Sequence, residues 1–164
     1  MVLNRPVVLN MARLTKECDL AAEQILLFVC STQGDGVPPY EARTFCEWLF
    51  DGSEIGDLSQ TCFSVCALGD RYVHRQLQPT AMWSYRSYAH FCRCGKRVAK
   101  AMKQNGAHEF VPSVKVDKED WTVIHKWIAE VMTALPSLNL NASRIPFQGI
   151  YFTPRFVKLR DRCV

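Results

Sequence analysis

Apolar and polar positions fall into blocks along the chain, and the blocks read alternately as strands and helices. Residues 25–30 form an unbroken apolar run that stops at two hydroxyls, Ser31 and Thr32, followed by Gly34-Asp35-Gly36 and Pro38-Pro39. A run this short and this continuous is the pattern of a parallel-sheet strand covered on both faces. Residues 61–68 (T-C-F-S-V-C-A-L) repeat it and close at Gly69-Asp70. Residues 108–114 read as a third, shorter strand, and 6–10 as a brief β-prone run. Helical spacing lies between these runs. In 39–50, Ala42, Phe45, Cys46 and Leu49 share one face, and Pro39 suits the first turn. In 91–104 a basic helix carries Cys94, Val98, Ala101 and Met102, with Asn105-Gly106 as its stop. In 117–135 the apolar face is Trp121, Ile124, Ile128, Val131 and Leu135. Strand and helix in alternation predict an α/β doubly wound parallel sheet. The pattern assigns 1–135 to one domain. It leaves 136–164, which has no clear period, as a connector or tail.

Composition adds bounds. The chain has 164 residues, 48% of them hydrophobic and 22% charged, enough for one domain with a real core. A formal net charge of +4 is too small to argue for nucleic acid. No apolar run approaches the ~18 residues of a membrane span. The first ten residues do not read as a signal peptide. Eight cysteines are present with no C-x-x-C spacing, and Cys30, Cys46, Cys62 and Cys66 lie inside apolar runs. They read as reduced thiols of a cytoplasmic protein rather than a disulfide framework or a zinc site.

The loops that follow the three strands gather at one edge of such a sheet. The first, 31–39, offers hydroxyls and backbone N–H groups. The second, 68–70, offers a glycine that permits close approach. The third, 116–120, is acidic. A flat ligand with polar edges and an apolar face suits this rim. A purely anionic one does not, because Asp35, Asp70, Asp117, Glu119 and Asp120 crowd it. Cys92 near His90 invites a hydrolytic reading, but no nucleophile elbow accompanies it.

At these loops a family becomes recognisable. S-T-Q-G-D-G-V-P-P-Y-E-A-R at 31–43 resembles the isoalloxazine loop of the flavodoxin-like FMN domain of diflavin reductases, of the NADPH–cytochrome reductase and sulfite reductase flavoprotein type. A-L-G-D-R at 67–71, followed by S-Y-A-H-F-C-R-C-G-K at 87–96, resembles that family's second flavin loop. W-T-V-I-H-K-W at 121–127 resembles its last helix. The resemblance covers roughly residues 5–135. It implies FMN as cofactor, with Ser31, Thr32, Gln33, Gly34 and Gly36 along one side of the ring and Leu68, Gly69 and Asp70 along another. It further implies Tyr88 stacked on a ring face, His90 and Phe91 nearby, and Asp117 as an acidic contact. Many relatives carry an aromatic where this chain has Gln33. The implied function is an electron-transfer domain of an NADPH-dependent diflavin oxidoreductase, which receives electrons from FAD and passes them singly to a haem or metal acceptor. FAD and NADPH would be held by a reductase domain outside this chain, so the domain would not be self-sufficient.

Two departures qualify the resemblance. The family opens with a strand, an S-x-T-G-T-A-E type loop that seats the FMN phosphate at a helix N-terminus, and a helix. Nothing in residues 1–20 resembles them, and 6–10 resembles the family's second strand instead. The implied fold is therefore a flavodoxin-like sheet missing its usual first strand and helix. In the 2-1-3-4-5 order that strand is central, and each buried backbone group left unpaired would cost about 1–3 kcal/mol. FMN anchorage would be weakened or lost. The second departure is an insertion at 72–86, between Arg71 and Ser87, rich in aromatics (Tyr72, Trp83, Tyr85) and carrying His74. The alternative reading is a degenerate flavodoxin-like interaction module that no longer binds FMN.

Overall fold

Strand β2 (Cys62–Gly69) is buried at five consecutive positions, 63–67, because secondary structure covers it on both sides. The computed structural model describes residues 8–11, 19–71 and 90–138. Within them β1 (Ile25–Ser31) pairs parallel with β2, from Ile25 opposite Cys62 to Ser31 opposite Leu68. On the other side of β2 lie β3 (His108–Glu109) and β4 (Val114–Asp117), both parallel to it.

The single strand expected at 108–114 is thus two strands on one flank. Pro112 separates them, and proline has no N–H to give a ladder. Ser113 fills the gap: its Oγ accepts the Val65 backbone N–H at 3.2 Å. The Glu109 carboxylate in turn accepts the Ser113 backbone N–H and hydroxyl. The sheet keeps its hydrogen bonding through a side chain that alternation alone does not reveal.

The two faces carry different cores. Phe63, Val65 and Ala67, with Phe28 and Cys30 of β1, lie beneath helices α1 (Arg43–Asp51) and α2 (Arg93–Gln104). Phe45, Cys46 and Leu49 come from α1, and Cys94, Val98, Ala101 and Met102 from α2, as the helical spacing predicts. Each fully buried Phe or Leu contributes about 1.5–3 kcal/mol. Helix α2 sits close because Gly95 faces Ala67, where a Cβ would lie 2.3 Å from the alanine methyl. On the opposite face Cys66 and Val116 meet Trp127 and Val131 of α3 (Trp121–Ala134). The Trp127 indole N–H donates to the buried Ser64 hydroxyl at 2.8 Å. The Asp120 carboxylate caps α3 by accepting from the Thr122 and Val123 N–H groups.

Further sequence expectations change, among them the start of the last helix, which is Trp121 rather than Asp117. The buried seam of α3 runs through Trp127 and Val131, whereas Trp121 and Ile128 are 58% and 45% exposed; the indole bond to Ser64 sets the helix's rotation. Strand β1 is not covered on both faces: Phe28 and Cys30 are buried, but Leu27 and Val29 are 46% and 57% exposed, because α3 packs over β2 and β4. Residues 8–10 form no strand, and 6–7 lie outside the described residues. Helix α1 starts at Arg43, after a 3₁₀ turn at Tyr40–Ala42, rather than at Pro39. The insertion at 72–86 and most of the 136–164 tail lie outside the described residues.

Candidate functional site

Three parallel strands end at one rim, and hydrogen bonds tie their loops together. The Thr32 backbone N–H donates to the Leu68 carbonyl at 3.1 Å, extending the β1–β2 ladder into the first loop. The loop then folds on itself: Gln33 and Val37 exchange backbone bonds of 2.9 and 3.0 Å around Gly34-Asp35-Gly36. Gly36 has φ +89, the left-handed region glycine enters without penalty, and is packed so tightly that a Cβ would meet Arg93 Cδ at 2.5 Å and His90 Nδ1 at 3.0 Å. Gly34, at φ +45, faces open space, with nothing within 4 Å of its Cβ position.

The second loop meets the turn before α2. A Cβ on Gly69 would lie 3.0 Å from the Cys92 backbone N, from Cys92 Sγ and from the Phe91 ring. Phe91 itself is buried, with the Arg71 guanidinium over its ring at 4.5 Å. His90 Nδ1 lies 3.0 Å from an Arg93 guanidinium nitrogen, and Arg93 donates to the Asp35 carbonyl at 3.4 Å. The Thr32 hydroxyl accepts the Cys94 backbone N–H at 3.1 Å, inside the first turn of α2.

Asp117 closes the third side. It stands opposite Gly69 in the ladder, accepts the Arg71 backbone N–H at 3.1 Å and pairs with the Arg71 guanidinium at 3.4 Å. The next residue, Lys118, donates its N–H to the Gly69 carbonyl at 2.7 Å. Cys92 (φ 53) and Lys118 (φ 55) are the non-glycine residues with positive φ among those described. Both lie on this rim, where contacts hold backbone strain of roughly 1–3 kcal/mol per residue.

Eleven of the twelve residues singled out from the sequence therefore lie on or just behind one edge: Ser31, Thr32, Gln33, Gly34, Gly36, Leu68, Gly69, Asp70, His90, Phe91 and Asp117. The twelfth, Tyr88, lies outside the described residues. Phe91 packs under Arg71 rather than facing outward. Arg71, Arg93 and Cys94 were not singled out, yet they lock the loops together. Arg71 stood inside the quoted A-L-G-D-R motif, but no spacing rule pairs it with Asp117, 46 residues away.

Directly behind the rim lie buried thiols. The Cys94 thiol lies beside those of Cys30 and Cys46. Those contacts, reinforced by burial, push the Cys30 and Cys46 thiols up. Cys94, beside both of them, is the member of the trio pulled down. Burial also pushes the Cys92 thiol up, to about 11; it donates to the Ala67 carbonyl at 3.2 Å. Among the described residues no group of three or more His, Cys, Asp or Glu side chains is arranged to hold a metal ion.

Comparison with known proteins agrees with this architecture. A family model described as Flavodoxin matches residues 3–127. NADPH oxidoreductase A of Dictyostelium discoideum is 40% identical over 116 residues, 71% of this chain and 16% of that protein. The sulfite reductase [NADPH] flavoprotein alpha-component of Escherichia coli O9:H4 (strain HS) is 33% identical over 118 residues, 72% of this chain and 17% of that protein. The chain spans about a sixth of the length of these curated relatives. Among solved structures, the Streptococcus pneumonia TIGR4 flavodoxin superposes with a TM-score of 0.57 at 20% identity, covering 78% of this chain and 75% of that one. A short-chain flavodoxin associated with a PDU bacterial microcompartment gives 0.50 at 22% identity, covering 73% and 74%. These structural likenesses concern the fold.

Proposed function

The chain belongs to the flavodoxin family, and on that premise we propose that it is the FMN-binding electron-transfer domain of an NADPH-dependent diflavin oxidoreductase. The observation that carries this reading is the convergence of three loops on one sheet edge, with Thr32 bonded to both Leu68 and Cys94. Binding at the carboxyl ends of parallel strands is the general rule for open α/β sheets.

The residues present fit a flat tricyclic ring. Gly34 leaves open space above the first loop. Leu68, half-buried at the end of β2, offers an apolar surface. The curled backbone of 33–36 offers polar groups to a ring edge. On this reading Ser31, Thr32, Gln33, Gly34 and Gly36 hold one side of the ring and Leu68, Gly69 and Asp70 another, and Tyr88 supplies the stacked aromatic. Asp117 acts by holding Arg71, and with it the second loop, in place. FMN, when bound, supplies the one- and two-electron chemistry. The protein's part is to orient the ring and leave an edge open to donor and acceptor. The names of the two curated relatives, an NADPH oxidoreductase and an NADPH-dependent sulfite reductase flavoprotein component, support an NADPH-linked flavoprotein; an FAD domain as electron donor and a haem or metal protein as acceptor complete the proposal.

Ring contacts, rather than a phosphate seat, carry recognition in this reading. The test is a titration of flavin-free protein with FMN and with riboflavin, followed by quenching of flavin fluorescence. Both should bind, riboflavin within about tenfold of FMN, a difference of roughly 1.4 kcal/mol. Protein that quenches neither flavin refutes the cofactor assignment. A preference for FMN of several hundredfold refutes ring-dominated recognition.

A further inference from the structure

Away from the rim, a cleft of about 570 Å³ runs between the side of α2 and the β3–β4 flank of the sheet. Four lysines line it: Lys96, Lys100 and Lys103 from α2, and Lys115 from β4. The first three follow helical spacing along one face of α2 and span about 10 Å at 1.5 Å per residue. Lys115 reaches the cleft from the sheet. One carboxylate, Glu109, also lines it, and that carboxylate is already engaged: Lys103 Nζ lies 2.6 Å from it, and both the N–H and hydroxyl of Ser113 donate to it. Lys96, Lys100 and Lys115 have no acidic partner among the described residues. Between the charges the lining is apolar, with Ala99 and Val114.

We propose that this cleft is a docking groove for an acidic segment of a partner polypeptide, whose carboxylates pair with Lys96, Lys100 and Lys115 while a small apolar side chain covers Ala99 and Val114. Charge complementarity carries the choice of occupant. Lysine is a compact, strongly hydrated point charge on a flexible stem, which suits carboxylates spread along a chain. A phosphate site draws on arginine forks or on backbone N–H groups at a helix N-terminus, and this cleft lies along the flank of α2 with no arginine in its lining. An extended segment with acidic residues on one face repeats every ~6.8 Å, so two or three carboxylates reach the lysine row. At one end the cleft is lined by Gly95 and Lys96, one helical turn from Cys92, whose carbonyl accepts the Lys96 backbone N–H and which packs on Gly69 of the second rim loop. The proposal does not depend on flavin being bound.

The test is fluorescence anisotropy of a fluorescein-labelled peptide of alternating Glu and Ala, at low ionic strength, with the whole chain. K96E/K115E should weaken binding roughly tenfold or more. R43E/K126E makes the same change in net charge outside the cleft and should weaken it less than about twofold. K96Q/K115Q removes charge without reversing it and should fall between the two, which guards against a folding defect in the reversal variant. Equal losses from both charge-reversal pairs would show attraction to overall charge and overturn the proposal. Displacement of the peptide by tripolyphosphate, at concentrations where an unlabelled Glu-Ala peptide does not compete, would reassign the cleft to small phosphate anions and overturn it too.

Discussion

The hydroxyl of Thr32 accepts a hydrogen bond from the backbone N–H of Cys94 at 3.1 Å, across 62 residues of chain. A loop residue at the end of β1 therefore caps the first turn of α2, a helix reached only after two further elements and an insertion. Helix starts leave N–H groups without intrahelical partners, and Cys92, in the N-cap position, makes no side-chain cap bond. Thr32→Val keeps the shape and removes the acceptor, so it should destabilise the fold by about 1 kcal/mol. Thr32→Ser should retain most of that. Urea unfolding midpoints read the difference; equal midpoints for the two variants would show that the cap is not structural. Flavin affinity should fall in the same order, because the bond also fixes the first loop against the start of α2, on which Gly69 of the second loop packs.

Gly36 and Gly34 sit two residues apart in one turn but answer to different constraints. At Gly36 a side chain meets both a φ of +89 and the Arg93 and His90 side chains. Gly36→Ala must displace Arg93 from the Asp35 carbonyl and should cost about 1–3 kcal/mol. Gly34 has a positive φ but open space, and asparagine tolerates that region. Gly34→Asn should cost under about 1 kcal/mol. Thermal unfolding of the two variants separates steric from conformational strain. Comparable melting shifts would mean that the contacts of Gly36 with His90 and Arg93 do not constrain the turn.

Much of this architecture is legible in the chain because one signal is strong: apolar runs of strand length that stop abruptly at Gly, Ser or Asp. Residues 25–30 and 61–68 appear as β1 and β2 with boundaries shifted by a residue, and the inward faces of α1 and α2 follow their helical spacing. What the sequence hides is set by partners distant in the chain. Pro112 and Ser113 break the last strand in two, yet only the fold shows Ser113 restoring the ladder at Val65. The rotation of α3 is chosen by a polar contact, Trp127 to Ser64, whereas an apolar count favours Trp121 and Ile128 equally. The exposure of Leu27 and Val29 depends on where α3 lies, and an unbroken hydrophobic run carries no record of that. The rim residues were readable because a motif marks them. The arginines that lock the rim, Arg71 and Arg93, were not, since their partners lie 46 and 58 residues away.

The six thiols among the described residues divide sharply by burial. Cys30, Cys46, Cys66, Cys92 and Cys94 are all at or below 4% exposure, whereas Cys62, at the start of β2, is only half-buried. Alkylation requires an accessible thiolate, and burial raises the Cys62 and Cys66 thiols alike, so access decides between them. Peptide-resolved iodoacetamide labelling of native protein should modify Cys62 ahead of the other five, which should react only in denaturant. Early labelling of Cys94 would mean that the region behind the rim opens without global unfolding.

The Glu109 carboxylate couples pH to the integrity of the sheet. Burial opposes its ionisation, but the bonds from Lys103 and Ser113 prevail and hold it below its ordinary value of 4.5. A folded-state pKa below the unfolded one contributes stability that is present above about pH 4.5 and is lost as pH falls through the folded value. Lys103 is 55% exposed, so solvent screening limits the pair to about 1 kcal/mol or less. The stability advantage of the native chain over Glu109→Gln should therefore be flat near neutral pH and shrink below 4.5. Because Glu109 holds Ser113, and Ser113 accepts the Val65 N–H, the Val65 amide should lose hydrogen-exchange protection in the same window, after correction for intrinsic rates. Neighbouring amides that donate directly to backbone carbonyls should keep theirs. A Val65 amide unaffected by either acid or the Gln variant would show that the strand gap is held by its flanking backbone bonds alone.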